Sequence, residues 1–177
     1  MFGLNKLDVT VYIATAMSNR SKHDQVTRAK YMCDVLSIYG ITPVSPVLEE
    51  KVPDEPGPLV ETNYARLKKN WARDKEIIAY EAHVTLMDGG DEGSVGMGRE
   101  YGLNRYGLWK PTITLWNKDR GLTVAEFEDD SIFTDEHSAA AYIAEQYGTR
   151  WKRWKWRIRM LARSLPTFIK RQVYAFR

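Results

Sequence analysis

Short β-branched runs alternate with longer helical periodicities through the first 149 residues. Val9-Thr10-Val11-Tyr12-Ile13-Ala14 reads as a buried strand, since branched and aromatic side chains suit a pleated surface. A more polar turn, Thr15 to Arg20, follows it. From His23 to Tyr39, Val26, Ala29, Met32, Cys33, Leu36 and Tyr39 recur at three- and four-residue intervals. That spacing predicts a helix with one apolar stripe, and Gly40 is placed to cap it. Thr42 to Ser45 suits a short second strand. Pro43, Pro46, Pro53, Pro56 and Pro58 then mark a long loop, because proline interrupts both helix and ladder.

Helical spacing resumes over 59–80, with Tyr64, Leu67, Trp71, Ile77 and Ile78 as expected core residues. His83 to Met87 reads as a third strand running into the turn-rich Asp88-Gly89-Gly90-Asp91-Glu92-Gly93-Ser94. A helix carrying Glu100, Leu103 and Tyr106 is expected to start between Ser94 and Gly98. Pro111 to Trp116 is a fourth strand, and Thr134 is placed to cap a helix ending at Tyr147. Strands alternating with helices predict an α/β domain over residues 1–149, a parallel sheet with helices on both faces.

Beyond that domain the pattern changes. Trp151, Trp154, Ile158, Leu161 and Ala162 fall within an arc of about 100° at the helical period, with the intervening Lys and Arg residues outside it. Trp156 and Met160 also lie outside the arc. Residues 150–177 therefore read as a basic amphipathic helical segment. Three readings are open for it: packing of the tryptophan face on the body, attachment to an anionic membrane surface, and binding of nucleic acid. The acidic stretch Glu126-Phe127-Glu128-Asp129-Asp130 offers it a pairing partner within or between subunits.

Charge sharpens this division. The chain of 177 residues carries 26 Lys+Arg against 23 Asp+Glu, a net of +3. Ten of the basic residues and none of the acidic ones lie at or after Arg150, which leaves the preceding body at −7. No apolar run reaches the roughly 18 residues of a membrane span. The N-terminal residues lack a signal-peptide core and there is one cysteine, Cys33, so a cytoplasmic location is expected. One Cys and three scattered His argue against structural zinc, and nothing calls for a metal or a redox cofactor. His83 and His137 read as structural or surface residues.

Ligands of open α/β sheets sit beyond the carboxyl ends of the strands. Of the segments that emerge there, Asp88 to Gly98 has the richest chemistry. Gly93, Gly96 and Gly98 permit close backbone approach, and Ser94 adds a hydroxyl beside an expected helix start, an arrangement that holds phosphate. A flexible glycine turn is the plain alternative. No GxxxxGK[ST] loop is present, and Tyr101 stands where GxGxxG needs glycine. Glu100 lies early in that helix, where its carboxylate can turn toward the pocket. Asp74, in Trp71-Ala72-Arg73-Asp74, taken alone reads as a solvated helix acid, and Tyr12 taken alone reads as core.

Taken together, Tyr12-Ile13-Ala14, Trp71-Ala72-Arg73-Asp74 and the block from Asp88 to Gly102 resemble the nucleoside 2-deoxyribosyltransferase superfamily, whose sheet is Rossmann-like or flavodoxin-like. Ser94-Val95-Gly96-Met97-Gly98-Arg99-Glu100 is most similar to the Ser-x-Gly-x-Gly-x-Glu pattern of its deoxynucleoside 5′-monophosphate N-glycosidase branch, and Lys110-Pro111 also fits. The resemblance implies that Glu100 is the nucleophile at the anomeric carbon and that Asp74 handles a sugar hydroxyl or the proton on the departing base. It implies that Tyr12 orients Glu100, and that Ser94, Gly96 and Gly98 hold a 5′-phosphate. Ser18 and Arg20 are further phosphate candidates, in a turn that departs from the branch's Gly-Ser-x-Arg order. Asp88 and Asp91 either contact the base or, facing the phosphate, repel it.

The expected partner is a nucleoside monophosphate or nucleoside. Water as acceptor gives hydrolysis and a second base gives transfer. The resemblance also implies a homo-oligomer. A non-catalytic nucleotide-binding module, attached to membrane or nucleic acid by its basic tail, is the alternative from a different class.

Overall fold

The computed structural model describes residues 6–15, 21–49, 64–88, 103, 107, 108, 110–116, 131–159 and 161, with backbone alone at 22 and 64–67. Its strands are β1 (Thr10–Thr15), β2 (Thr42–Val44), β3 (Val84–Asp88), β4 (Thr112–Leu115) and β5 (Ser131–Phe133). They form one sheet in the order β2-β1-β3-β4-β5, with every neighbouring pair parallel. This is the flavodoxin-like order, and it bears out the α/β expectation. The order of strand addition reverses between β1 and β3. The register pairs Thr15 with Asp88, so the carboxyl ends of those two strands lie side by side at the switch point. Connections leaving such a pair go to opposite faces, which opens a crevice there.

Helix α1 (Lys22–Ile38) returns the chain from β1 to β2. The Ser21 hydroxyl caps its start by accepting from the Asp24 N–H at 3.1 Å. At its end Gly40 has φ 75°, the left-handed conformation that glycine adopts without a Cβ penalty. Gly40 N–H then reaches Ser37 O and Ile41 N–H reaches Leu36 O, a Schellman closure that satisfies two terminal carbonyls. The expected stripe is the inward face: Ala29, Met32 and Leu36 are fully buried, and Val35 joins them.

Two of the prolines disrupt less than their spacing suggested. Pro43 lies within β2, an edge strand, where a missing N–H is tolerated. Pro46 opens α2 (Pro46–Glu49), where its fixed φ favours the first helical position. Pro53, Pro56 and Pro58 lie outside the described residues.

The next helix, α3 (Tyr64–Glu76), continues into a π-helical turn (Ile77–Glu81). The widened turn leaves carbonyls that need donors. The buried Lys110 ammonium supplies them, donating to Ile78 O, Ala79 O and Ala82 O at 2.6, 2.9 and 2.6 Å. The first residues leading to β4 are thereby tied to the end of this helix. Ile77 and Ile78 are core as expected, whereas Trp71 is half-buried, with Lys75 Nζ 5.8 Å from its ring centroid.

Helix α4 (Glu136–Tyr147) is capped by Asp135, whose side chain accepts from Ser138 N–H at 2.7 Å, and not by Thr134 as the sequence suggested. A carboxylate at this position answers both the free N–H and the positive end of the helix dipole. Strand β5, just ahead of it, is a three-residue element that the hydrophobic pattern alone did not disclose.

The sheet separates two apolar layers. On one face Val11, Ile13, Val84, Leu86, Ile113 and Leu115 pack with α1 and α4. On the other, Tyr12, Ala14 and Met87 pack with Ile77, Ile78 and Ala82. The alternation along each strand follows from the two-residue period of the pleat.

Residues 150–159 form a last helix, α5. Its packing corrects one expectation. Trp156, outside the apolar arc, is the tryptophan that buries, joining the first layer at an edge-on angle to Tyr147. Arg153 on the same side donates to Asp8 O and to Tyr147 O and pairs with the Asp8 carboxylate. Trp151, Trp154, Ile158 and Leu161 are exposed. The arc faces outward because Trp156 and Arg153 reach specific partners on the body, and a helix so short has one inward face.

Candidate functional site

Three of the candidate side chains lie among the described residues: Tyr12, Asp74 and Asp88. Ser18, Arg20, Asp91, Ser94, Gly96, Gly98 and Glu100 lie outside them, as do the expected helix start at 94–98 and the acidic stretch 126–130.

Tyr12 is fully buried in the middle of β1, paired in register with Val44 and Thr85. Its side chain belongs to the layer containing Ile77 and Ile78. Asp74 stands three and four residues before those isoleucines, so helical spacing turns it to the same side. It is 9% exposed, not the solvated acid that its sequence context suggested. Burial raises its carboxyl pKa above the ordinary value; a 3.2 Å contact from Arg73 opposes the rise and the charge of Glu49 adds to it. Tyr12 and Asp74 therefore share the α3 face of the sheet.

Asp88 is placed differently. It ends β3 in line with Val84 and Leu86, on the face covered by α1 and α4. Both its oxygens are engaged by one guanidinium: Arg28 Nε donates to Oδ2 at 2.9 Å and Arg28 Nη2 to Oδ1 at 3.0 Å. Arg28 Nη1 continues to Glu136 Oε1 at 2.5 Å. Two carboxylates hold the guanidinium well above its usual pKa despite the opposing effect of burial. The triad joins α1, β3 and α4, and a bidentate fork of this kind fixes geometry as well as charge. Sequence reasoning missed Arg28; the available signal was a cation flanking the apolar stripe of α1.

Two further polar groups support the framework. Lys110 has its pKa pushed down to about 8, chiefly by burial, with Arg157 adding to it, while the three carbonyls it serves favour its charged form. His83 Nδ1 accepts from Thr10 N–H at 3.0 Å, and burial lowers its pKa, so the ring is a neutral bracket between β1 and β3. Both histidines have a structural setting, since His137 lies against Tyr39 with ring centroids 6.0 Å apart. Among the described residues, no group of three or more His, Cys, Asp or Glu side chains is placed to hold a metal ion. No helix among them is long and apolar enough to cross a membrane.

No family model matches the chain, and no curated protein matches it by sequence. Among solved structures it is similar to a 2-deoxyribosyltransferase from the psychrotolerant bacterium Bacillus psychrosaccharolyticus, a biocatalyst for the synthesis of antiviral and antitumoral nucleosides. The TM-score is 0.59 at 21% identity, covering 76% of this chain and 92% of that one. The fold is thus the α/β fold of a 2-deoxyribosyltransferase.

In chemical terms, a buried carboxyl with a raised pKa retains its proton to higher pH than a surface acid and can donate it to a leaving group. The clamped Asp88 has both oxygens committed to Arg28.

Proposed function

We propose that the protein is an enzyme that cleaves the N-glycosidic bond of a (deoxy)nucleoside 5′-monophosphate and releases the free base. The observation that carries this reading is the setting of Asp74: a buried carboxyl whose pKa burial raises, on the same sheet face as Tyr12 in a 2-deoxyribosyltransferase-like fold. Glu100 attacks the anomeric carbon as that carbon gains positive charge, forming a covalent glycosyl ester as the bond to the base breaks. Asp74 delivers its proton to the departing base nitrogen. Water then attacks the same carbon, the ester breaks, and the Asp74 carboxylate takes up the proton that the water loses. A carboxylate nucleophile and a separate acid/base group are what a retaining glycosyl cleavage requires. Tyr12 orients Glu100, while Ser94, Gly96 and Gly98, with Ser18 and Arg20, receive the 5′-phosphate. Asp91 is assigned to the base. Asp88, first a candidate for that contact, serves instead as the anchor of the β3 end through Arg28.

The likeness to a 2-deoxyribosyltransferase favours a second reading, in which another base replaces water as acceptor. The test is to incubate wild type and Glu100→Ala with nucleoside monophosphates and nucleosides, with and without a second base, and to follow free and exchanged base. Release from monophosphates, reduced about 10³-fold or more in the variant, is the expected result. Release that persists in Glu100→Ala overturns the nucleophile, and release from no substrate favours a binding module.

A further inference from the structure

Helix α5 is amphipathic in the opposite sense to a surface helix of a globular domain. Its inner face is held by Trp156, 7% exposed, and by Arg153 through Asp8 and Tyr147. Its outer face carries Trp151 at 58%, Trp154 at 51% and Ile158 at 43% exposure. At about 100° per residue, these three fall on one stripe. Lys155 and Arg159 flank it on one side and Arg150 and Arg157 on the other, all four exposed. The residues from Arg150 onward contain ten cations and no anion.

We propose that this outer face docks on an anionic lipid surface, with α5 lying in the plane of the interface and the α/β body held above it. Indole rings and an aliphatic side chain suit the boundary between headgroups and acyl chains, and flanking Lys and Arg meet lipid phosphates. Nucleic acid fits less well. Trp151 and Trp154 stack on each other with centroids 4.9 Å apart and an interplanar angle of 21°, and Lys155 Nζ lies 5.1 Å from the Trp151 centroid. Ring faces engaged in this way are less open to bases, and Ile158 adds apolar surface that base stacking does not use. A second copy paired through the same stripe would bring the two sets of flanking cations together. The body carries −7 before Arg150 and is repelled by an anionic surface, so attachment belongs to α5.

The test uses the full-length protein and sedimentation with vesicles of phosphatidylcholine alone or mixed with phosphatidylglycerol. Binding to the anionic vesicles is expected at low salt, about tenfold or more weaker for neutral vesicles and weakened by added salt. Replacing Trp151, Trp154 and Ile158 together by serine is expected to lower anionic-vesicle binding about tenfold or more with the circular dichroism unchanged. Lys155→Glu with Arg159→Glu is expected to weaken binding to anionic vesicles alone. Absence of binding to anionic vesicles at low salt, or binding unaffected by the triple replacement, overturns the proposal. So does a dimer, or an oligonucleotide complex, that is lost in the triple variant while wild type ignores vesicles. None of these outcomes bears on whether base is released.

Discussion

The two faces of the sheet hold their acids in opposite ways. On the α1 and α4 face, Asp88 is buried and matched by a two-pronged guanidinium, with Glu136 completing the triad. On the α3 face, Asp74 is buried almost as deeply but has only a single 3.2 Å contact from its neighbour Arg73 among the ion pairs described. Burial raises the Asp74 pKa, whereas the buried Asp88 has both oxygens met by Arg28. The lesson is that burial alone does not identify a working acid. A carboxyl matched on both oxygens holds a fold together; a carboxyl buried without a full match has its pKa raised.

The contrast can be tested from either side. Asp74→Asn removes the proton but keeps the shape, and base release is expected to fall by about 10²–10⁴-fold. In a thermal melt the same substitution is expected to raise Tm once the pH is high enough to ionise Asp74, because it then removes a charge the folded state accommodates poorly. A fall in Tm would mean that the carboxylate is as well matched as Asp88. On the other face, Asp88→Ala leaves Arg28 with Glu136 alone. With Arg28 partly exposed, the expected cost is about 2–3 kcal/mol, read in urea denaturation, somewhat below that of breaking a fully buried pair.

Tyr12→Phe keeps the ring in its layer and removes only the hydroxyl. The expected result is roughly a tenfold loss of kcat with KM nearly unchanged, as for one hydrogen bond to a charged group. Equal activity would leave Tyr12 as core. The smallest effect is in pH. The folded pKa of Asp74 lies above its unfolded value near 3.8, so its proton stabilises the folded state most fully below that value. That contribution is lost as pH rises through the folded pKa. The Tm advantage of Asp74→Asn is therefore expected to vanish toward pH 3 and to grow as pH rises.

Much of the fold was legible because strands and helices carry different periods. The runs at Val9, His83 and Pro111, and the stripe from Val26 to Tyr39, each had a single consistent reading, and Gly40 closes α1 as its position implied. Strand β5 was not legible, since three residues hold too little period to stand out. The proline pattern overstated the break at Pro43 and Pro46, because edge strands and first helical turns tolerate the missing donor. For the site, sequence singled out Asp74 and Tyr12 and read Tyr12 as core, but not the burial of Asp74, which depends on a helix packing across the sheet. Arg28 was missed for the same reason: its partners are 60 and 108 residues away in the chain. The inverted orientation of α5 could not come from a helical wheel, which ranks faces by composition and knows nothing of what Trp156 and Arg153 reach.

The most direct measurement compares base release by Asp74→Asn and Asp88→Asn at equal concentrations of folded protein. If one face performs the chemistry and the other anchors it, Asp74→Asn loses about 100-fold or more, while Asp88→Asn, once its lower stability is allowed for, stays within about threefold of wild type. Equal losses in the two variants, or the larger loss in Asp88→Asn, would contradict the assignment of roles to the two faces.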